Sequence, residues 1–304
     1  MSSLLEMTDV PMRNILEKCD FKSVLTLRKV CHSLRNFIDD TCFKTDLDNI
    51  CITIGPNGFS VTCPSPDPFW LHGIEFAKDC TSNDLKIILK LVQNSQLSYF
   101  LVTTNPPDNV GGLDDLEEIL KNQTRPLHTE QFVMEGSGIL KILPYLDSKA
   151  LKKISILPIN YGTNGQNLVG IEKFLELEQF KNAMELYINN CFVVRADLSK
   201  FFHFQRVRVK LHETSLEELV ALKEAFVTST HMKFFELHSH GLDENKLEQV
   251  FGTPFHDHPL GFSQWFFEIQ NCKEHVLRID FAFGGIGFRK LETKKVPQDA
   301  VVQR

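Results

Sequence analysis

Met184-Glu185-Leu186-Tyr187-Ile188-Asn189-Asn190-Cys191 alternates apolar and polar residues and then stops on two asparagines. Alternation at period two describes a strand with one hidden face, and Asn side chains after it can bond the backbone of a turn. Ile269-Gln270-Asn271-Cys272 ends the strand-like run 265–270 in the same way. Outward from these, further strand-like runs occupy 97–103, 130–135, 152–157, 206–211, 233–238 and 276–283. Between them, apolar residues three and four apart predict helices. These are 82–94 (Leu85, Ile88, Leu89, Val92), 113–122 (Leu113, Leu116, Ile119, Leu120), 170–180 (Ile171, Phe174, Leu175, Leu177) and 215–227 (Leu216, Leu219, Leu222, Phe226). Strand centres recur every roughly 22 to 33 residues through the middle of the chain, a period typical of β–α solenoids.

A helix between parallel strands also suits a doubly wound sheet. The solenoid is preferred because no glycine-rich phosphate loop follows any strand, and the Asn-Cys ending resembles the strand-to-turn step of leucine-rich repeats. Gly284-Gly285-Ile286-Gly287 has no helix to open and reads as a turn. The short step from 265–270 to 276–283 predicts an antiparallel hairpin closing the array. After Phe288 the chain turns polar (Lys290, Glu292, Lys294, Lys295, Gln298), so residues 291–304 are expected to fray as a tail.

Ahead of this body lies a helical head. Thr8 and Asp9 are N-cap residues for a helix carrying Met12, Ile15 and Leu16, and Pro11 sits in its first turn, where a missing N–H costs little. Cys19-Asp20-Phe21 is a break. Val24, Leu25 and Leu27 form a second amphipathic stretch up to Val30. Leu34, Phe37 and Ile38 form a third, with Arg28, Lys29, Arg35 and Asn36 assigned outward. Helices this short need packing partners, and their apolar positions exceed what so small a core hides, which suggests a partner groove. Next, Ile50, Ile52 and Ile54, the turn Pro56-Asn57-Gly58, and Phe59, Val61 and Cys63 read as a hairpin. Pro64, Pro66 and Pro68 then mark a linker, the expected seam between head and body.

Composition narrows the function classes. With 42% hydrophobic and 24% charged residues, the chain is globular by composition rather than disordered. A net charge of −6 argues against a broad nucleic-acid-binding face, which needs clustered Lys and Arg. No apolar run approaches the roughly 18 residues of a membrane span, and Met1-Ser2-Ser3-Leu4-Leu5-Glu6 has no signal-peptide pattern. Eight cysteines, none spaced C-x-x-C, then read as thiols in a reducing compartment. The chain is therefore expected inside the cell, cytoplasmic and/or nuclear.

His238-Ser239-His240 and His256-Asp257-His258 are the most metal-like pairs, and alternation would set the first two on one face. No Cys or Glu set completes a site, so no metal and no cofactor is assigned. His203, among Phe201, Phe202 and Phe204, reads as a satisfied core histidine. Glu117-Glu118 and Glu217-Glu218 diverge on helices and read as solvated faces. H-E-x-x-H, P-loop and G-x-S-x-G motifs are all missing, and no catalytic residue is assigned.

Two resemblances add to this. The run Ile15 to Asp39, with Leu27-Arg28-Lys29-Val30-Cys31 and Leu34-Arg35-Asn36-Phe37-Ile38-Asp39, resembles the F-box of the expanded nematode F-box families. That resemblance implies docking on a SKP-family linker, and through it a cullin, by Met7, Ile15, Leu16, Val24, Leu25, Val30, Cys31 and Leu34. The Leu-Pro that usually opens an F-box falls here on Met7-Thr8, with proline only at Pro11, so the rigid proline edge is lost. Docking is expected to survive that loss, with Thr8 still capping the helix.

From about 80 to 290, several blocks resemble the FTH domain that accompanies an F-box in one large nematode family. Among them are Ile142-Leu143-Pro144-Tyr145-Leu146, Leu177-Glu178-Gln179-Phe180-Lys181-Asn182-Ala183, Phe251-Gly252-Thr253-Pro254 and Trp265-Phe266-Phe267-Glu268-Ile269. The resulting expectation is an α/β chain: a three-helix F-box head at 1–45, a hairpin and Pro-rich linker at 46–79, a leucine-rich-repeat-like β–α solenoid of FTH type at 80–290, and a tail. The resemblances imply a non-catalytic, substrate-recruiting adaptor of an SCF-type cullin–RING ubiquitin ligase, holding an unidentified target protein. The alternative is a non-ligase scaffold for protein or RNA partners.

Overall fold

Three short helices open the described chain: α1 (Asp9–Leu16), α2 (Phe21–Val30) and α3 (His32–Asp40). They stand where the apolar spacing puts them. The computed structural model describes residues 8–41, 43–63, 74–104, 110–159, 166–167, 170–257 and 261–303. The linker expected at Pro64, Pro66 and Pro68 lies outside the described residues. The chain divides into two units, Met1–Lys152 and Lys153–Arg304.

In the first unit, β1 (Asn49–Gly55) and β2 (Gly58–Cys63) form the expected hairpin, with Ile52 opposite Val61 and Ile54 opposite Phe59. Gly58 has φ 136°, a conformation that side chains resist. β3 (Ile74–Cys80), not foreseen from the sequence, pairs antiparallel with β2. α4 (Ser82–Val92) opens with a capping box: Thr81 Oγ1 accepts from the Asp84 N–H, and Asp84 Oδ2 accepts from the Thr81 N–H. β4 (Leu97–Thr104), α5 (Val110–Lys121) and β5 (Thr129–Glu135) complete the unit. β4 lies parallel to both β1 and β5, and the strand order is β3-β2-β1-β4-β5. The predicted stripes Leu85, Ile88, Leu89, Val92 and Leu113, Leu116, Ile119, Leu120 are all buried. α5 runs so close to β1 that a Cβ on Gly112 would stand 2.5 Å from Ile54 Cγ2.

The second unit begins with β6 (Lys153–Leu157), β7 (Gln166–Asn167), α6 (Ile171–Glu176), α7 (Glu178–Asn182), β8 (Glu185–Ile188) and β9 (Phe192–Val193). The single helix expected over 170–180 is two. Leu177, at φ −64° and ψ 139°, is extended and ends the first. In one α-helix, residues six apart point in widely different directions; the break brings Phe174 and Phe180 edge to face at 5.0 Å, both buried. β10 (Arg206–Leu211), α8 (Leu216–Thr228) and β11 (Phe234–Ser239) follow. β6, β8, β10 and β11 are parallel neighbours in chain order, Ile154 beside Leu186, Leu186 beside Val207, and Val207 beside Phe235. β7 and β9 pair separately.

α9 (Glu244–Phe251) and β12 (Phe255–Asp257) precede β13 (Phe262–Ile269), β14 (Cys272–Ala282), β15 (Gly285–Glu292) and β16 (Val302–Gln303). β13 and β14 form the expected antiparallel hairpin, with Trp265 opposite Ile279. A third strand then overturns two sequence expectations. β15 pairs with both β14 and β11, so Gly285-Ile286-Gly287 belongs to a strand, and the chain past Phe288 is ordered. Ile286 and Phe288 are buried at period two, and the His238 ring lies so close to Gly285 that it would have to move to admit a Cβ, 2.6 Å away. β16 adds to β13, and Gln303 Nε2 donates to the Phe251 carbonyl at 2.8 Å. The expected fraying fails because these strands satisfy the tail's backbone.

Candidate docking surface

The head is held by polar contacts placed between its helices. Asp20 caps α2: its Oδ1 accepts from the Ser23 N–H at 2.7 Å and its Oδ2 from Ser23 Oγ at 2.8 Å, and those bonds hold the carboxyl below the usual carboxylate range. Thr8 occupies the N-cap of α1 but makes no side-chain cap bond, so the expected capping by Thr8 is not realised. Cys31 alone separates α2 from α3. It is extended, and its Sγ accepts from the Leu34 N–H at 3.5 Å.

Arg28 and Arg35, assigned outward from the sequence, instead tie the helices together. Arg28 Nε and Nη2 donate to the two oxygens of Asp39 at 2.7 and 2.8 Å, and the bond to Asp39 raises the guanidinium pKa further. Arg35 Nε reaches the Arg28 carbonyl at 3.4 Å. Periodicity could not show this, because the partners lie eleven residues apart on different helices. Below the head, Asp46 Oδ1 accepts from the Phe21 N–H at 3.0 Å, and Thr45 and Ser95 bond through their hydroxyls at 2.6 Å.

The eight residues expected at the docking surface separate by exposure. Met7 lies outside the described residues. Leu16, Val24 and Leu34 are buried within the chain's own packing, with Met12, Phe21 and Ile38. Ile15, Leu25 and Cys31 are half-buried, and Val30 is 65% exposed. Two apolar residues outside the expected docking set lie beside it: Val10 is 69% exposed next to Pro11, and Leu27, part of the second apolar stretch, is half-buried one turn before Val30. The open apolar side chains of the head are thus Val10 and Val30, flanked by Ile15, Leu25 and Leu27, over an inner layer of Leu16, Val24 and Leu34.

Other sequence candidates resolve into structural roles. His238 is half-buried, 3.3 Å from Glu236 Oε1, while His240 falls in the turn after β11, its ring 6.4 Å from that of His212. His256 is exposed, 3.6 Å from Glu244, and His258 lies outside the described residues. Among the described residues no group of three His, Cys, Asp or Glu is placed to hold a metal ion. His203 is exposed rather than core, with its Nε2 3.1 Å from the Phe180 carbonyl and its ring on Phe204. Glu218 is no solvated face: it accepts from the N–H groups of Ser215 and Leu198 at 2.9 and 3.1 Å. Glu117 accepts from the Tyr145 hydroxyl at 3.4 Å. Among the described residues no helix is long and apolar enough to cross a membrane.

With this geometry in hand, known proteins supply a context. The F-box domain family matches residues 4–46, which takes in the three helices, and the FTH domain family matches residues 112–255, inside the 80–290 span read from the sequence. F-box A protein 224 of Caenorhabditis elegans is 22% identical over 272 residues, covering 81% of this chain and 69% of that protein. No solved structure matches the chain.

Proposed function

We propose that this chain, which carries an F-box domain followed by an FTH domain, is a substrate-recruiting adaptor of an SCF-type cullin–RING ubiquitin ligase. The observation that carries the reading is the head itself: an F-box domain whose core is closed by Leu16, Val24 and Leu34, yet which leaves Val10 and Val30 about two-thirds exposed. Isolated exposed valines are ordinary; exposed valines on a module whose family docks by apolar contact are a partner surface. We assign that surface to Val10, Ile15, Leu25, Leu27, Val30 and Cys31, with Met7 as its expected edge.

The mechanism is proximity. The head docks on a SKP-family linker and through it a cullin, the body holds a target protein, and target lysines meet the conjugating enzyme at raised effective concentration. In this reading the chain contributes no catalytic step and works inside the cell, cytoplasmic and/or nuclear. The body is read as a leucine-rich-repeat-like β–α solenoid, supported within the second unit by β6, β8, β10 and β11, which are parallel neighbours in chain order. The proposed division is head 1–45, hairpin and linker 46–79 and an FTH-type body from 80, to which β15 and β16 join residues of the stretch expected as a tail at 291–304.

The test is co-purification of the full chain with a SKP-family linker. Wild type should form a stoichiometric complex, and Leu25→Asp and Val30→Asp should each abolish it while the circular dichroism spectrum stays unchanged. A wild type that fails to bind, or variants that bind as well as wild type, would sink the proposal.

A further inference from the structure

The second unit holds a cavity of about 650 Å³ at the end of its sheet where β10 and β11 begin and β15 finishes. Arg206, Lys233 and Lys290 line it, with the residues that follow α8 and the turn between β13 and β14. Backbone hydrogen bonds set these cations side by side. The Lys233 N–H donates to the Gln205 carbonyl at 2.9 Å, and the Lys290 N–H to the Lys233 carbonyl at 3.4 Å. Neighbouring strands lie about 4.8 Å apart, so three long side chains from these positions can meet over one group. No Asp or Glu lines the cavity, in a chain that carries 39 of them against 33 Lys and Arg.

The cations are poorly neutralised by the chain itself. Arg206 has only Glu185, Nε to Oε1 at 3.6 Å, with both side chains open to solvent. Lys233 is exposed, and neither lysine is ion-paired among the described residues. Lys290 is half-buried. Its Nζ donates to the carbonyl of Ser229, in the same wall, at 2.6 Å, and burial pulls its pKa below the usual 10.5. A half-buried ammonium without a counter-charge is costly, and an anion in the cavity would relieve it. The carbonyls that end α8 do not compete, since Ala225 accepts from the Ser229 N–H at 2.9 Å and Val227 from the Gln270 N–H at 3.1 Å. His275 also lines the cavity but lies near Glu292, which is already bonded to Lys294 and Lys295. It is not counted among the three.

Charge then chooses the ligand. A carboxylate brings one charge and two oxygens. A phosphate monoester brings nearly two charges and three strong acceptor oxygens, which matches cations from three adjacent strand ends. Charged hydrogen bonds of that kind are the strong ones. The cavity is also far larger than a phosphate group, leaving room for the molecule that carries it.

We propose that this cavity binds the dianion of a phosphate monoester, held by Arg206, Lys233 and Lys290. The carrier is either a phosphorylated side chain of another protein or a small organic phosphate. That such a protein is the recruited target rests on the function proposed above; the chemistry of the site does not.

Calorimetry on the full chain uses four probes: ribose 5-phosphate, a phosphoserine pentapeptide, the same peptide with aspartate in place of phosphoserine, and an RNA decamer without a terminal phosphate. At least one monoester should bind, and whichever of the two binds more tightly identifies the carrier. The aspartate peptide and the decamer should bind at least about tenfold more weakly than that monoester. Lys233→Glu, whose side chain is exposed, should melt like wild type and weaken monoester binding about tenfold or more, as should Lys290→Gln. Lys86→Glu, the same charge change in the first unit, should leave it intact. No binding of either monoester, a Lys233→Glu protein that binds as tightly as wild type, an equal loss in Lys86→Glu, or an aspartate peptide or decamer that binds as tightly would each overturn the inference. Val30→Asp should keep phosphate binding. A wild type that binds the linker but no monoester would overturn this site alone. One that binds a monoester yet ignores the linker would overturn the ligase reading and leave the site standing.

Discussion

Arg28 on α2 and Asp39 on α3 form a two-bond ion pair, Nε to Oδ1 at 2.7 Å and Nη2 to Oδ2 at 2.8 Å, with side chains only 18% and 27% exposed. Two parallel bonds to a guanidinium fix an angle as well as a distance, so the pair sets how α3 lies on α2. Removing either partner should cost about 1–2 kcal/mol. Urea unfolding of Arg28→Ala, Asp39→Ala and the double variant gives the coupling directly. Single losses that simply add in the double variant would show that the pair is idle.

Val24 and Val30 lie on the same helix with opposite fates, one wholly buried and the other 65% exposed. Val24→Ala should cost about 2 kcal/mol of stability, the transfer of the lost methyls plus the cavity. Val30→Asp should stay within about 0.5 kcal/mol of wild type. A large stability loss in Val30→Asp would mean that Val30 packs within the chain and is not free to meet a partner.

Glu236 on β11 carries the clearest pH dependence. The hydrogen bond from His238, followed by the charge of Arg208, holds its carboxyl below the usual value of 4.5. A carboxyl that binds its proton less readily in the folded state stabilises the fold above its unfolded value, and that contribution disappears as pH falls through the lower folded value. Glu236→Gln should therefore flatten the stability curve from about pH 5 downward. Parallel curves for wild type and variant across that window would contradict this.

Cys51 should be slow to alkylate. Burial pushes it up to about 12, and its side chain sits in β1 between β2 and β4. At pH 8 only about one molecule in ten thousand then carries the reactive thiolate. Iodoacetamide followed by peptide mapping should find Cys51 unmodified in native protein and modified in urea. Equal labelling in both would show that the strand opens readily.

Phe283 and Gly284 turn β14 into β15 with φ of 51° and 73°. Two consecutive positive φ values define a turn that prefers Asn-Gly, and Phe283 is 94% exposed, with only an edge contact to Phe262 at 6.0 Å. Phe283→Asn should raise stability by about 1 kcal/mol. A lower Tm would assign the ring a packing role.

Much of the body was legible from the sequence because burial writes its period into the chain. The stripe Leu85, Ile88, Leu89, Val92 and the alternation around Leu186 and Ile188 appear as α4 and β8, and Asn189 closes its turn as read, its Oδ1 accepting from the Cys191 N–H at 3.0 Å. The three head helices were legible for the same reason, and the F-box match over 4–46 takes them in.

Tertiary structure decided the rest, since it depends on partners far apart in the chain. Gly285-Ile286-Gly287 looks like a turn until β11 and β14 flank it and His238 fills the space a side chain would take. Leu16, Val24 and Leu34 look like docking residues until the packing of α1, α2 and α3 claims them, leaving Val10 and Val30 outside. Period alone says that a helix has an apolar face. Which of its apolar side chains are used up within the fold, and which remain for another protein, follows only from what packs against it.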